Sequence, residues 1–200
     1  NIMTPDQIVA AAKERNCRSI AYTYTEPTVF FEFAHDTARL AHDHGLSNLF
    51  VTNGYMTMEA LDMIGPYLDA ANVDLKAFNE TYYKTYCGAR LAGVKETLVS
   101  MKSRGVFLEV TTLVVPGLND SPEELAELAG FIARSLGTDT PWHISRFHPT
   151  YRLTDRPPTP VQTLMTAYEI GVNAGLKYVY TGNVPGEESE KTFCYACGKI

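Results

Sequence analysis

An α/β fold with parallel strands is what this 200-residue sequence predicts, on three observations. Segments with strand patterning alternate with segments of helical periodicity along the chain, as in βα units joined by right-handed crossovers. No internal repeat or low-complexity linker interrupts the series, and 45% hydrophobic content is enough for one sizeable core. Polar and charged residues recur near the ends of the strand segments, where parallel α/β folds place their sites. From these residues alone the fold is either a doubly wound sheet or a barrel.

The elements follow in order. Thr4, Pro5 and Gln7 supply an N-cap, a first-turn proline and a capping-box partner, predicting a helix to about Asn16. RSIAYTY is a strand. The next helix carries Phe30, Phe33, Ala34, Thr37 and Ala41 on one stripe and stops at Gly45. NLFVT is a strand, TMEALDMI a helix, and NVDLK the strand after Pro66. Residues 79–104 read as helical with a break near Gly88. VFLEVTTLVV is a strand, SPEELAELAGFIARSL a helix, and WHISR a strand. The proline-rich TYRLTDRPPTP is a loop before a helix whose predicted stripe is Val161, Leu164, Met165, Tyr168 and Val172, and KYVYTGN is the last strand. The expected organisation is a core over residues 1–182 and an extension over 183–200 carrying a CxxC pair. Because the chain opens on a helix where a βα series needs a strand, the first βα unit is expected to be incomplete.

Seventeen basic and 23 acidic residues give a net charge of -6 with no basic run, so nucleic acid and anionic membrane are not expected as partners. No stretch approaches the ~20 apolar residues needed to span a bilayer. NIMTPDQIVA lacks a charged leader followed by an apolar run, and a cytoplasmic protein is the expectation. Four cysteines are too few for a disulfide framework.

NVDLK alternates, with Val73 and Leu75 on one face and Asn72, Asp74 and Lys76 on the other. Polar side chains on one face of a central strand must pair, face water or bind a ligand, because burying an unpaired charge is costly. Glu26 in YTEP, Asn53 and Gly54 in VTNG, Glu109 and Thr111 in VFLEVTTLVV, and His143 and Ser145 in WHISR repeat the pattern. Carboxylates at Glu26 and Asp74 suit an ammonium group; Lys76 and the backbone N–H groups of VTNG and VPGLND suit a carboxylate. An amino-acid-like guest is the expected ligand.

Other candidates carry less. His35, His42 and His44 sit near a helix C-terminus, where cations are favourable without any metal. Cys17 is expected to be buried packing, Cys87 is a candidate thiol at a helix break, and Tyr22 and Tyr24 either line the rim or pack. Cys194 and Cys197 form a half-site for a metal, since a closed zinc or iron-sulfur site needs further ligands.

AYTYTEPTVFFEF, NLFVTNGYMT, YLDAANVDLKAFN, YCGARL, EVTTLVVPGLNDS, PWHISRFHPTY, KYVYTGNVPG and CYACG, in this order, make the whole chain resemble the radical S-adenosylmethionine (SAM) enzymes of the AmmeMemoRadiSam system, which are similar to pyruvate formate-lyase activating enzymes. The resemblance implies a partial (βα)6 barrel that binds SAM at the carboxyl ends of its strands. It also implies a 4Fe-4S cluster for reductive cleavage of SAM to a 5′-deoxyadenosyl radical, a protein or peptide as hydrogen donor, and an electron donor such as flavodoxin or ferredoxin. Glu26 takes the place of the glutamate beside the methionine ammonium group. Thr52 and Asn53 fall at the third-strand loop, and Asp74 and Lys76 match an Asp-x-Lys that contacts the methionine and ribose portion. Thr111 lies on the fifth strand, Val115 to Gly117 match a turn near the adenine, and His148 matches a histidine beyond the sixth strand. Tyr24 and Thr25 stand where the family has two glycines. The CxxxCxxC motif that holds the cluster is absent, so the chain as written is expected not to carry out radical chemistry alone. Two readings from other classes stand beside this one: a Schiff-base lyase using Lys76, as in aldolases, and a non-catalytic partner-binding scaffold.

Overall fold

The structure is a computed structural model and describes residues 3–184 and 191–199. Six strands, β1 (Ser19–Tyr22), β2 (Ser47–Thr52), β3 (Ala70–Asp74), β4 (Phe107–Val114), β5 (Trp142–Arg146) and β6 (Val179–Gly182), follow one another in sheet order β1-β2-β3-β4-β5-β6. Sequential order lacks the reversal point of a doubly wound sheet and is the order of a (βα) barrel or part of one. Helices α1 (Pro5–Glu14), α2 (Phe31–Asp43), α3 (Met58–Ile64), α4 (Glu80–Tyr82), α5 (Leu91–Ser103), α6 (Pro122–Phe131) and α7 (Val161–Asn173) alternate with the strands. Among the described residues no helix is long and apolar enough to cross a membrane. The chain divides into two compact units, residues 1–73 with 93–108 and residues 74–92 with 109–200.

In the first unit, β1, β2 and β3 pair in parallel, Tyr22 opposite Phe50 and Thr52 opposite Val73. Thr4 caps α1 through the predicted box, and Thr57 caps α3. Ala34, Thr37, Ala38 and Ala41 are the buried stripe of α2, while Phe33 lies at its edge, 36% exposed. Asn48 is fully buried and fully engaged. Its amide donates to Ala38 O and Tyr67 O, and its Oδ1 accepts from the Tyr22 hydroxyl at 2.9 Å. Tyr22 is therefore packing, and Tyr24 is 92% exposed. Cys17 is exposed, against the expectation of burial: its N–H closes the end of α1 on Ala12 O, which turns the residue outward.

The second unit is built on β4, β5 and β6, in parallel register with Thr111 opposite His143 and His143 opposite Tyr180. Val110, Thr112, Val114, Trp142, Ile144, Val179 and Thr181 form the buried face, on which α7 packs. Trp142 is fully buried, and its indole donates to Thr112 Oγ1 at 3.0 Å. Ser121 caps α6, whose last turns continue as a π-helix over Ile132–Leu136. The buried stripe of α7 is Leu164, Ala167 and Gly171, rotated from the predicted one, and Val172 is 47% exposed. The cause is Gly171, where an added Cβ would lie 3.0 Å from both the Trp142 ring and a Val179 methyl. Helix and sheet thus meet at a residue that carries no hydrophobic signal. The predicted break near Gly88 is real: α4 passes into a π-helix over Tyr83–Cys87, ended by Gly88 at φ 62°.

Candidate functional site

Glu26 organises the carboxyl end of β2 in the first unit. Its backbone is extended, and its side chain caps the 3-10 turn Pro27–Phe30. Oε1 accepts the Thr52 hydroxyl at 2.6 Å and the Thr28 hydroxyl at 3.3 Å, and Oε2 accepts the Asn53 N–H at 2.8 Å. The Thr28 N–H also reaches Oε1, at 3.5 Å, so Oε1 is fully used, while Oε2 carries one donor and keeps an acceptor position for a ligand. Thr52 Oγ1 accepts the Gly54 N–H at 3.1 Å, and Asn53 Oδ1 accepts the Tyr55 N–H at 2.8 Å. Gly54 sits at φ 70°, and a Cβ there would lie 2.6 Å from a Val73 methyl. VTNG therefore holds Glu26, Thr52 and Asn53 as one rigid cluster.

At the end of β3, in the second unit, Lys76 Nζ donates to Asp74 Oδ2 at 2.7 Å, with side chains 37% and 40% exposed. Leu75, between them, and Val73 before them are buried, as the alternation predicted. Asn119, 2% exposed, fixes the VPGLND turn to this strand end. Its amide donates to Lys76 O at 2.6 Å and Leu113 O at 2.9 Å, and its Oδ1 accepts the Val115 N–H at 2.6 Å. Gly117 N–H is taken by Asp120 at 2.8 Å. The backbone N–H groups of Val115 and Gly117, like those of Gly54 and Tyr55, are thus consumed by side chains of their own loops, and that of Asn53 by Glu26. That corrects the expectation that these loops offer N–H groups to a guest carboxylate; self-satisfaction fixes the loops instead.

The open face of β4, β5 and β6 carries a second polar group. His143 Nε2 lies 3.2 Å from Glu109 Oε2, and the imidazole stacks on Tyr180 with centroids 5.0 Å apart and planes 18° apart. Both flank a pocket of about 390 Å3 lined also by Thr181, Gly182 and Thr192. Thr111 faces the same way, opposite His143 in the register. Tyr180 passed unnoticed in the sequence, although its alternation with Gly182 along β6 puts it on the same face as His143 once the register is known. His148 is exposed in the loop beyond β5.

The remaining candidates separate cleanly. His35 and His42 pack on the Tyr67 ring, and His44 Nδ1 lies 3.3 Å from Lys13 Nζ, so these histidines serve packing and a helix end. Burial pushes the Cys87 thiol up, outweighing the opposing Lys76 charge, which keeps it protonated. Cys194 and Cys197 are exposed, and Cys194 is lowered by backbone N–H groups of Ala196 and Cys197 and by the Cys197 thiol. Among the described residues no three of His, Cys, Asp and Glu are grouped to hold a metal ion, so the donor set of an iron-sulfur cluster is not found there.

A curated relative, an uncharacterized protein of Methanocaldococcus jannaschii, is 48% identical over 198 residues, 99% of this chain. The chain spans 59% of that relative's length. Among solved structures, a domain of pyruvate-formate lyase-activating enzyme from Bacteroides vulgatus superposes with TM-score 0.71 at 15% identity, over 82% of this chain and 99% of that one. Streptococcus suis SuiB bound to S-adenosylmethionine superposes with TM-score 0.72 at 13% identity, over 92% of this chain and 45% of that one. Such identities bear on the fold, which is that of radical SAM enzymes. Residues 1–129 match the family model described as Radical SAM superfamily, and on that match the chain belongs to the radical SAM superfamily.

Proposed function

We propose that this chain is the SAM-binding core of an enzyme that cleaves SAM reductively and abstracts hydrogen from a peptide or protein. The observation that carries the reading is Glu26, a half-buried carboxylate whose two oxygens are aimed by Thr52 and the Asn53 N–H at the carboxyl end of β2. Such a carboxylate suits the methionine ammonium group of SAM, because fixed donors hold its charge in place without neutralising it. Asp74 and Lys76, paired at the end of β3, are assigned to the methionine and ribose portion of SAM through the family resemblance. Thr111 and His148 belong to the same assignment, through the family resemblance.

The described residues lack a fitting donor set for the cluster, so its thiolates are taken to lie outside them and no step is derived through it. An electron carrier of the flavodoxin or ferredoxin type is the partner such chemistry requires. A peptide or protein as hydrogen donor is supported by the structure of SuiB bound to its precursor peptide SuiA, a likeness of fold. The pocket beside His143 and Tyr180 gives that donor a polar face. The lyase reading loses support from Lys76 itself, which is ion-paired and 37% exposed where a nucleophilic amine needs desolvation.

The test uses the full-length protein, reconstituted anaerobically with iron and sulfide. SAM affinity is measured by calorimetry for wild type and for Glu26→Gln, which preserves size and removes the charge. A charged hydrogen bond contributes about 1.5–3 kcal/mol, so affinity is expected to fall about 10- to 150-fold. Unchanged affinity overturns the role of Glu26. Failure of a loaded, reduced enzyme to release 5′-deoxyadenosine overturns the catalytic reading.

A further inference from the structure

Residues 192–199 contain a loop whose geometry the radical chemistry leaves unexplained. Cys194 O accepts two N–H groups, from Cys197 at 3.3 Å and from Gly198 at 2.7 Å, and the Cys194 N–H donates to Lys199 O at 2.7 Å. Gly198 sits at φ 69°, a left-handed position that reverses the chain directly after the second cysteine. This tight turn brings the two side chains together. The Cys194 sulfur accepts backbone N–H groups of Ala196 and Cys197 and pairs with the Cys197 thiol. Both cysteines are exposed. The loop is also tied down: the Tyr195 ring meets Tyr178 edge-on at 6.3 Å, and Lys177 Nζ lies 4.6 Å over it while held at 2.7 Å by Asp139.

We infer that CYACG is a metal knuckle that holds zinc through Cys194 and Cys197. Two sulfurs on one turn, with backbone N–H groups aimed at one of them, are a chelate whose donors converge before the metal arrives. A zinc tetrahedron with thiolate ligands needs that convergence, since distances near ~2.3 Å leave little tolerance. Each thiol gives up its proton to solvent as the zinc–sulfur bond forms, so the knuckle releases two protons per metal bound. A dithiol that cycles with a disulfide is the rival use of a CxxC. Reactive redox pairs of that kind sit at a helix start, whereas Cys194 and Cys197 close a tight turn that Gly198 reverses at φ 69°. The other two positions of the tetrahedron are filled by donors that do not neighbour the pair among the described residues. A second copy of the same knuckle would fill both.

The experiment uses full-length protein purified under argon without added metal, with zinc and iron measured per chain. Zinc at about half to one equivalent per chain is expected in wild type and in Cys17→Ser. In Cys194→Ser/Cys197→Ser it falls to background, while iron and SAM binding stay unchanged. Cobalt(II) in place of zinc should show thiolate charge-transfer and tetrahedral ligand-field bands that the double variant lacks. One zinc per two chains with metal-dependent dimerisation assigns the other ligands to a second copy; one per chain assigns them to the same polypeptide; either supports the knuckle. Zinc unaffected by the double variant, loss of iron in its place, or a zinc-free pair recovered as a disulfide overturns it. These readouts are independent of whether SAM is cleaved.

Discussion

Removing the Glu26 carboxylate leaves the Thr52 hydroxyl and the Asn53 N–H without their acceptor, so the residue matters to the fold before any ligand arrives. An unsatisfied, partly buried donor costs about 1–3 kcal/mol. Glu26→Ala is therefore expected to lower the unfolding free energy by about that amount, with Glu26→Gln milder because its amide oxygen still accepts one donor. Urea midpoints of the two variants decide this, and equal midpoints for Ala and wild type would contradict it. Gly54 is the second residue on which the cluster depends. At φ 70° it tolerates no side chain cheaply, and a Cβ would also stand 2.6 Å from Val73 and 3.2 Å from Val94, both fully buried. Gly54→Ala is expected to cost about 1–3 kcal/mol through overpacking and backbone strain together. Thermal melts check the size of the loss. Because the Asn53 N–H moves with Gly54, the same variant should weaken SAM binding by at least severalfold.

Among the elements, the proline-rich loop before α7 depends on one side chain. Thr159, fully buried, donates to Val114 O at 2.6 Å and accepts the Phe147 N–H at 2.9 Å, and its carbonyl accepts Arg146 Nε at 2.8 Å. Thr159→Val keeps the shape and strands both backbone groups, so about 1–3 kcal/mol should be lost. Limited proteolysis should then cut residues 150–158 faster while sparing β4 and β5; an unchanged cleavage rate would show that the prolines alone hold the loop. Nothing in TYRLTDRPPTP singles out that threonine, because its partners lie on other elements. What local chemistry dictates was legible. The cap at Thr4, the alternation of NVDLK and the break at Gly88 follow from bonds within a few residues. The Asp74–Lys76 pair was readable for the same reason. Illegible were features decided by contact between elements: the rotated stripe of α7, set by Gly171 against Trp142, and the Glu109–His143–Tyr180 group, which exists only once the strand register is fixed. The exposure of Cys17 and the self-satisfied N–H groups of VTNG and VPGLND were missed similarly, since single residues do not announce which hydrogen bonds their loops already make.

At the scale of the whole molecule, buried phenols set the alkaline limit of stability in both units. Burial pushes Tyr22 in the first unit and Tyr83 in the second well above the ordinary tyrosine value, and Tyr82 is pushed up to about 12, by burial first and then by Cys87, Tyr86 and Glu124. An unfolded chain releases these protons near pH ~10. Above that pH the folded chain holds more protons than the unfolded one, so the unfolding free energy falls as pH rises. The stabilising contribution is complete below about pH 10 and disappears as pH climbs through the folded values. The urea midpoint is therefore expected to be insensitive to these groups from about pH 7 to 9 and to fall steeply beyond about pH 10. Phenolate absorbance from the buried tyrosines should appear together with unfolding and not before it. Tyr83→Phe removes one of the titrating groups along with the acceptor of the Lys76 N–H. It should lower the midpoint at every pH yet flatten its dependence above pH ~10. A parallel downward shift with unchanged slope would mean that Tyr83 ionises alike in the folded and unfolded chains, leaving the alkaline limb to Tyr22 and Tyr82.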